Sequence, residues 1–185
     1  MILGKKVRLR DKKLADVRHD YAWQSDVELS RLDAVAPLKM SFAQYLADYL
    51  LELRCPCLSR RLLAIESLEG KHIGNCTYYG IDEARGEAEL GIMIGDRDYW
   101  DNGYGSDAVA TLVGYIFRQT KIKRIYLKTL EDNHRAQKCF RKCRFVPYGH
   151  RARDGYRFLL MEVRREQWPA RQKEKGAASP AKREG

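Results

Sequence analysis

Two closely spaced glycines, Gly103 and Gly105, stand between an apolar strand pattern and an amphipathic helical pattern. The first N–H groups of a helix have no partner within the helix and, together with the helix dipole, they attract anions. Glycine removes the side chains that would keep a ligand away from these groups. The spacing therefore predicts a backbone site for a phosphate-bearing ligand. A plain turn into a helix, without any ligand, explains the two glycines as well.

The elements that position this turn follow from periodicity. Residues 87–94 alternate between apolar and polar side chains, which is typical of a strand with one face in a core. After the turn, apolar residues recur at helical spacing, with Ser106 as the expected N-cap and Asp107 in the first turn. The apolar positions are Val109, Leu112, Val113, Ile116 and Phe117.

Length and charge restrict the class of protein. Lys and Arg total 35 against 25 Asp and Glu, and this net charge of +10 suits a polyanionic partner such as a phosphorylated cofactor, a nucleic acid or the ribosome. Because the basic residues are scattered and not interleaved with aromatic residues, we expect no direct nucleic-acid role. The 185 residues suit one domain over residues 1–165, followed by a flexible charged tail over residues 166–185.

The sequence contains no apolar segment of transmembrane length, so we expect a cytoplasmic protein with no membrane partner. Its cysteines lack the paired CxxC spacing of zinc sites. We therefore expect no metal site and reduced cysteines that serve mainly in packing. They are Cys55, Cys57, Cys76, Cys139 and Cys143.

The remaining patterns predict a strand, several helices, three antiparallel strands, a helix, another strand, a helix and a final hairpin. Ser41 is the expected N-cap of the longest N-terminal helix. The strand at residues 124–129 should run parallel to the strand at residues 87–94, because a helix-length crossover joins them. This order predicts a mixed α/β sheet.

Two segments, DRDYWDNGYGSDAVATLVGYIF and NHRAQKCFRKCRFVPYG, occur in this order of elements. Together they resemble the GCN5-related N-acetyltransferases (the GNAT family), most closely the branch with ribosomal-protein and spermidine acetyltransferases. The resemblance implies a mostly antiparallel, twisted α/β sheet flanked by helices, in which a splayed central pair of parallel strands binds acyl-CoA. It also implies an enzyme that uses acetyl-CoA and moves the acetyl group directly to a primary amine.

The resemblance implies a role for particular residues. Backbone N–H groups of the glycine turn would contact the pyrophosphate, and the end of the preceding strand would pair with the pantetheine amides. Asn133, which also suits a helix N-cap, would touch the cofactor. The implied cofactor-binding residues are Ile92, Met93, Ile94, Asn102, Gly103, Tyr104, Gly105, Ser106 and Asn133.

Three positions depart from the family pattern. Trp100 stands where the family has Arg or Gln before the glycines. Phe140 stands where the family often has the Tyr that protonates the CoA thiolate. Water, Tyr126 or Tyr148 would then act in its place, or the thiolate would leave unprotonated, which a thiol pKa of about 8.5 makes tolerable. Arg144 replaces a Gly at a helix end that needs a positive φ, at a cost of about 1 kcal/mol.

An amine must lose a proton to attack a thioester, so a general base accelerates the reaction. Glu89 is the candidate, because the family often uses a Glu on this strand, and Glu87 is the alternative. An exposed strand carboxylate without a catalytic role is the other interpretation of Glu89. Cys139 is a poor candidate nucleophile, because no His is placed to activate it.

The acceptor is expected between the N-terminal helices and the final hairpin. Carboxylates on the helical side could hold a cationic amine there, although solvated helix faces carry such residues too; they are Asp20, Asp26, Glu28 and Asp33. A protein N-terminus is the first expected acceptor, followed by a polyamine or an aminoglycoside. A homodimer is a further expectation.

Two other classes of protein compete with the enzyme. Phe140 makes a non-catalytic acyl-CoA-binding or interaction module credible. The segment GYGSDA also fits the dinucleotide-binding pattern GxGxxA, with Glu131 or Asp132 at the distance expected for a ribose ligand. Against a dinucleotide site, a loop separates the first glycine from its strand, and only one parallel unit follows.

Overall fold

The computed structural model describes residues 1–57 and 59–169. Its strands are β1 (Ile2–Leu3), β2 (Val7–Asp11), β3 (Arg60–Ser67), β4 (His72–Asp82), β5 (Glu87–Ile94), β6 (Arg124–Leu130), β7 (Val146–Arg153) and β8 (Tyr156–Arg164). Its α-helices are α1 (Val17–Ser25), α2 (Val27–Leu32), α3 (Phe42–Arg54), α4 (Tyr104–Gln119) and α5 (His134–Lys142). The predicted order of strands and helices is found from β2 onward, and β1 is a short strand that was not predicted.

The strands form an eight-stranded sheet in the order β1-β2-β3-β4-β5-β6-β8-β7. Strands β5 and β6 run parallel, and the other neighbouring strands of the described sheet are antiparallel. The parallel return follows from α4, which crosses from the end of β5 to the start of β6. The mixed, mostly antiparallel α/β class is therefore confirmed.

The parallel pair opens along its length, as expected. Residues 87–89 of β5 pair with β6, whereas residues 90–94 have no strand partner on this side in the described part of the chain. Backbone N–H and C=O groups at this edge are therefore left without ladder hydrogen bonds. At the end of the strand, Gly95 passes so close to Trp23 that a Cβ would overlap the indole ring. Only glycine fits this position without a shift of α1.

Helix α4 and the sheet enclose the main hydrophobic core. The predicted apolar stripe of α4 is buried, and its members are Val109, Leu112, Val113, Ile116 and Phe117. The helix packs against β2, β4 and β5. Ala88 and Leu90 of β5 join this core. Because side chains alternate along a strand, Glu89 and Gly91 face the opposite side of the sheet.

Helices α1, α2 and α3 form a second group of packed elements. Helix α3 begins at the predicted N-cap, where the hydroxyl of Ser41 accepts a hydrogen bond from the backbone N–H of Gln44 at 3.3 Å. The ring of Tyr45 lies 5.4 Å from that of Tyr21 and 5.9 Å from that of Tyr49, measured between centroids. Part of the N-terminal aromatic content therefore serves packing between α1 and α3.

The predicted N-cap of α4 is wrong by three residues. The helix begins at Tyr104, and Gly103 is its N-cap, with a left-handed φ of 82°. Ser106 therefore lies within the first turn and cannot be the N-cap. A serine N-cap was expected because its side chain usually accepts the free N–H groups. Here a glycine in the left-handed conformation precedes the helix and leaves those groups without a side-chain cap.

The chain after β8 continues through a single helical turn, Arg165–Gln167. The ring of Trp168 lies 6.2 Å from that of Phe117, so the beginning of the expected tail contacts α4. The rest of that expectation, over residues 170–185, lies outside the described residues. Within the described ranges, no helix combines the length and apolar character required to cross a membrane.

Candidate functional site

The glycine turn exposes backbone N–H groups at the start of α4. The N–H of Asp107 makes the first hydrogen bond of the helix, to the carbonyl of Gly103 at 3.0 Å. The N–H groups of Tyr104, Gly105 and Ser106 precede this bond and have no helical partner. Nothing lies within 4 Å of the position that a Cβ of Gly103 would take. The turn can therefore accept an anion against its backbone.

A cleft of about 310 Å³ opens at this turn, and we call it the loop cleft. It lies between the free end of β5, the start of α4 and the face of α5, with α2 at one side. Seven of the expected cofactor residues line it: Ile92, Met93, Ile94, Gly103, Gly105, Ser106 and Asn133. Seven of the nine expected residues therefore lie on one continuous concave surface, and their role in binding a cofactor stays a prediction. Asn102 and Tyr104 are not part of the lining.

The side chains of Asn102 and Tyr104 turn toward other parts of the protein. Asn102 donates from Nδ2 to the carbonyl of Asp98 at 3.3 Å. Tyr104 packs edge-on against Tyr99, with 4.8 Å between ring centroids, and Lys6 lies over its ring. What these two residues can offer a ligand is therefore limited to their backbone groups.

Three cations of α5 line the loop cleft: Arg135, Lys138 and Lys142. They are separated by three and four residues along the sequence, so they share one helix face. This spacing was the available signal, and the sequence analysis missed it because the basic residues were judged scattered. Together with the bare N–H groups of α4, they make the cleft electropositive, as phosphate groups require.

Trp100 closes the cleft at the end of β5. Its Nε1–H donates to the carbonyl of Ile94 at 2.7 Å. The guanidinium of Arg135 lies 3.2 Å from the centroid of the indole ring. Trp100 therefore occupies one lone pair of a carbonyl that was expected to be free. The indole ring also packs against Arg135, so a basic side chain lies next to position 100, where the family has Arg or Gln.

A second cavity, of about 680 Å³, lies between α1, α2 and α3 and the strands β4 and β5, and we call it the helical cavity. Asp33, Ile92 and Met93 line both the helical cavity and the loop cleft. The two spaces therefore meet beside the unpaired end of β5. A molecule in each would bring two reactive groups together at this point.

Buried charges form one wall of the helical cavity. The Nζ of Lys12 lies 2.6 Å from Oδ2 of Asp20, and these side chains are only 7% and 3% exposed. Behind them, Arg10 holds Asp16 at 2.8 Å. Burial lowers the pKa of Lys12, against the opposing charge of Asp20. Burial and the charge of Lys12 also lower the pKa of His72, which packs in the same cluster. The wall is therefore held by paired charges.

Glu89, the expected base, lies on the helical-cavity side of the sheet but lines neither space. Its carboxylate forms an ion pair with Lys128 at 3.0 Å and is 15% exposed. Glu87 pairs with Arg124 at 3.1 Å. Tyr79, which lines the helical cavity, has its pKa raised by burial and by the carboxylates of Glu89 and Asp33. Glu89 thus reaches the cavity only through a neighbour or a water.

The three departures from the family pattern have clear positions. Phe140 lines the loop cleft and packs against Phe145, so it offers no proton there. Tyr126 and Tyr148 both stack on Arg124, at 5.0 and 4.8 Å, and line neither space. Arg144 has a φ of 67°, so the expected left-handed helix end exists without glycine.

Cys139 lies in the loop cleft beside the glycine turn. Ser106 donates from its hydroxyl to the sulfur of Cys139 at 3.4 Å. Hydrogen bonding with Cys143 and with Ser106 lowers the pKa of Cys139 to about 7, while burial acts in the opposite direction. The described residues include no group of three or more His, Cys, Asp or Glu side chains arranged for a metal ion.

The sheet rules out the dinucleotide-binding interpretation of GYGSDA. A doubly wound nucleotide fold needs several parallel strands around its crevice. Strands β5 and β6 are the one parallel pair in the described sheet, and antiparallel strands flank them. The site therefore consists of an anion-binding helix start beside a splayed pair of parallel strands.

Comparison with known proteins agrees with this class. The family model "Acetyltransferase (GNAT) domain" matches residues 6–146. The chain is 31% identical to the uncharacterized N-acetyltransferase p20 of Bacillus licheniformis over 130 residues, and this aligned region covers 70% of each protein. The chain therefore belongs to the GNAT acetyltransferase family. As a member, it is a transferase, and acetyl-CoA is its expected cofactor.

Solved structures show the same fold at low sequence identity. Spermidine N-acetyltransferase from Vibrio cholerae, in complex with CoA and spermine, has a TM-score of 0.78 at 18% identity, over 89% of this chain and 99% of that one. An aminoglycoside acetyltransferase in complex with coenzyme A has a TM-score of 0.71 at 18% identity, over 87% and 96%. At this identity the likeness concerns the fold.

Proposed function

We propose that this protein is an acetyl-CoA-dependent N-acetyltransferase that moves the acetyl group directly to a primary amine. The observation that carries the proposal is the junction of the loop cleft and the helical cavity at Asp33, Ile92 and Met93. A thioester in the cleft and an amine in the cavity meet there in a suitable orientation. Orientation of this kind accelerates transfer without a covalent enzyme intermediate.

For the cofactor, we propose that the loop cleft holds the diphosphate against the backbone N–H groups of residues 102–106. The free edge of β5, over residues 92–94, pairs with the pantetheine amides, and Asn133 contacts the cofactor. The side chain of Asn133 already accepts the N–H of Ala136 at 3.1 Å, which fixes its position at the start of α5. When bound, acetyl-CoA supplies the activated acetyl thioester.

For the chemistry, we propose Glu89 as a base that acts through Tyr79 or a water, because its own carboxylate lines neither space. A backbone N–H near Ile92 or Met93 is placed to stabilise the oxyanion of the tetrahedral intermediate. Phe140 cannot donate a proton. The thiolate sulfur therefore takes its proton from the solvent or leaves unprotonated.

For the acceptor, we propose an extended molecule with a primary amine, first of all a protein N-terminus. The helical cavity shares lining residues with a neighbouring cavity of about 470 Å³, which continues to Ile81. Along β4, the distance from Asn75 to Ile81 is roughly 20 Å at about 3.3 Å per residue. This length supports an extended chain. Polyamines and aminoglycosides, the substrates named for two structural relatives, are the alternatives.

Release of the CoA thiol tests this function. The purified chain is mixed with acetyl-CoA and, separately, with peptides that have free N-termini, with spermidine and with kanamycin. We expect thiol release with at least one primary amine and none with the N-acetylated form of the same acceptor. A thermal shift with acetyl-CoA but no release with any amine would instead indicate a non-catalytic acyl-CoA-binding module.

A cytoplasmic location is also part of the proposal. The five cysteines are free, two of them exposed, which fits a reducing compartment. Cell fractionation tests the location. A homodimer is proposed as well: the dodecameric spermidine N-acetyltransferase of Vibrio cholerae supports self-association, and light scattering at several protein concentrations tests the number of subunits.

A further inference from the structure

The carboxylates of the helical region differ in whether a partner neutralises them. Asp20 is fully engaged, because it receives the ammonium of Lys12 at 2.6 Å, the side-chain amide of Asn75 at 2.6 Å and the hydroxyl of Tyr49 at 2.9 Å. These three contacts saturate the carboxylate in a buried setting. Asp20 therefore has little capacity left to bind a cationic ligand.

Asp26 and Glu28 are engaged as well. Both accept from the guanidinium of Arg97, at 2.9 and 3.0 Å. Asp33 differs from all of them. Its backbone N–H bonds to the carbonyl of Leu29 at the end of α2, but its side chain has no ion pair or hydrogen bond within the described part of the chain.

Asp33 also has a distinctive position. Of the carboxylates in the described residues, it alone lines both the loop cleft and the helical cavity. Asp33 is exposed at the junction, yet desolvation by nearby protein atoms raises the pKa of its carboxyl, and the charge of Lys128 opposes this effect. Tyr79 on β4 lines the helical cavity together with Asp33, and the cations Arg135 and Lys138 line the loop cleft with it.

We infer that Asp33 is a catalytic residue that binds the acceptor ammonium at the junction and accepts its first proton. This inference rests on the proposed function. One proton passes from the ammonium nitrogen to a carboxylate oxygen of Asp33 and on to solvent. The nitrogen lone pair adds to the acetyl carbon, and when the tetrahedral intermediate collapses the carbon–sulfur bond breaks and its electron pair leaves with sulfur. The second nitrogen proton passes through Tyr79 or a water to Glu89 and on to the solvent, from which the thiolate takes up a proton.

Besides its role as a base, Glu89 has a positioning role toward Asp33 through its ion pair with Lys128. Because Glu89 holds Lys128 at 3.0 Å, this ammonium is kept from pairing with Asp33 and from blocking the ammonium site. Glu89→Gln would free Lys128 to approach Asp33. The double variant Glu89→Gln with Lys128→Met removes the competing charge, so we expect it to regain part of the activity that Glu89→Gln loses.

The test compares Asp33→Asn with Asp33→Glu and with Glu28→Gln, a control on the same helix whose side chain is exposed and lines neither space. The acceptor is whichever of the peptide, spermidine or kanamycin gives the most thiol release with the unaltered chain. For Asp33→Asn we expect kcat/KM for the acceptor to fall by at least about 100-fold at neutral pH. CoA affinity should remain within about twofold, because the backbone contacts to the cofactor are intact.

A pH profile separates catalysis from binding. The activity of Asp33→Asn should keep rising with pH, because free amine then forms without the carboxylate, whereas Asp33→Glu should retain the profile of the unaltered chain. Asp33→Asn with kcat/KM within about threefold of the unaltered chain would overturn the inference. A loss in Glu89→Gln that Lys128→Met does not relieve would overturn the positioning role of Glu89 toward Asp33. If the unaltered chain releases no thiol with any amine, the proposed function fails, and the role of Asp33 fails with it.

Discussion

The loop cleft and the helical cavity meet at one point, yet they are built in opposite ways. The cleft uses backbone N–H groups and cations from two short segments, the turn before α4 and the helix α5. The cavity is assembled from three helices and distant strands, and its wall is held by paired side-chain charges. The difference suggests that a ligand shared by many relatives is bound largely by backbone groups, whereas a ligand that differs between relatives is bound by side chains.

Loss of one buried charge should damage the helical cavity more than any other change. Asp20→Asn leaves Lys12 buried without its charge partner, so we expect the free energy of unfolding to fall by about 3–5 kcal/mol. Urea unfolding measures this. Asp132→Asn is the control, since its pair with Arg31 is 67% and 51% exposed, and should cost at most about 1 kcal/mol. If the folded fraction of Asp20→Asn also loses CoA affinity, the two regions are not independent.

A side chain in the glycine turn should damage only the loop cleft. Gly105→Arg places a long side chain against the N–H groups of α4, and we expect CoA affinity to fall about 100-fold, equivalent to about 2.7 kcal/mol. Gly105→Ala is the matched control, because its Cβ would lie 3.6 Å from Cys139 and from Ile94, an ordinary contact distance. Titration calorimetry with CoA measures both. Unchanged affinity in Gly105→Arg would refute the phosphate assignment.

Acid should weaken the charged wall before it affects the cleft. Burial alone would raise the pKa of Asp16, but hydrogen bonds from Arg10 and from the N–H of Lys13 lower it to about 2. Because the pKa of Asp16 is lower in the folded protein, its carboxylate stabilises the fold by about 2 kcal/mol at pH values above its unfolded pKa of about 3.9. This contribution is lost as pH falls toward about 2. Urea midpoints between pH 5 and pH 2 measure the loss. Asp16→Asn should flatten this dependence.

The smallest expected effect concerns the arginine that stacks on Trp100. Arg135→Ala removes one charge from the loop cleft, so we expect CoA affinity to fall about tenfold and to depend less on salt. The KM of the acceptor should not change, because Arg135 does not line the helical cavity. Arg141→Ala, an exposed position on the same helix outside both spaces, is the control. Equal losses in both variants would mean that Arg135 contributes only to net charge.

Residues close in sequence explain why one region could be predicted. The alternation of residues 87–94, the two glycines and the stripe of α4 are local patterns, and they predicted the strand β5, the turn and the helix that border the loop cleft. The N-cap was misplaced because a left-handed Gly103 replaced the usual side-chain cap. The partners of Asp20, and the lack of a partner for Asp33 in the described residues, depend on long-range packing. No local pattern distinguishes a paired carboxylate from a free one.

The segment that leads from β1 into β2 has a consequence for how this protein is made. The carboxylate of Asp107 accepts the backbone N–H groups of Lys5, Lys6 and Val7, at 3.1, 2.7 and 3.1 Å. Asp107 is synthesised about a hundred residues after them, which takes several seconds at about 5–20 residues per second. Residues 5–7 therefore have no such acceptor until α4 has been synthesised. Helix α4 and this segment can pair only then, when strands β6, β7 and β8 are still to be made.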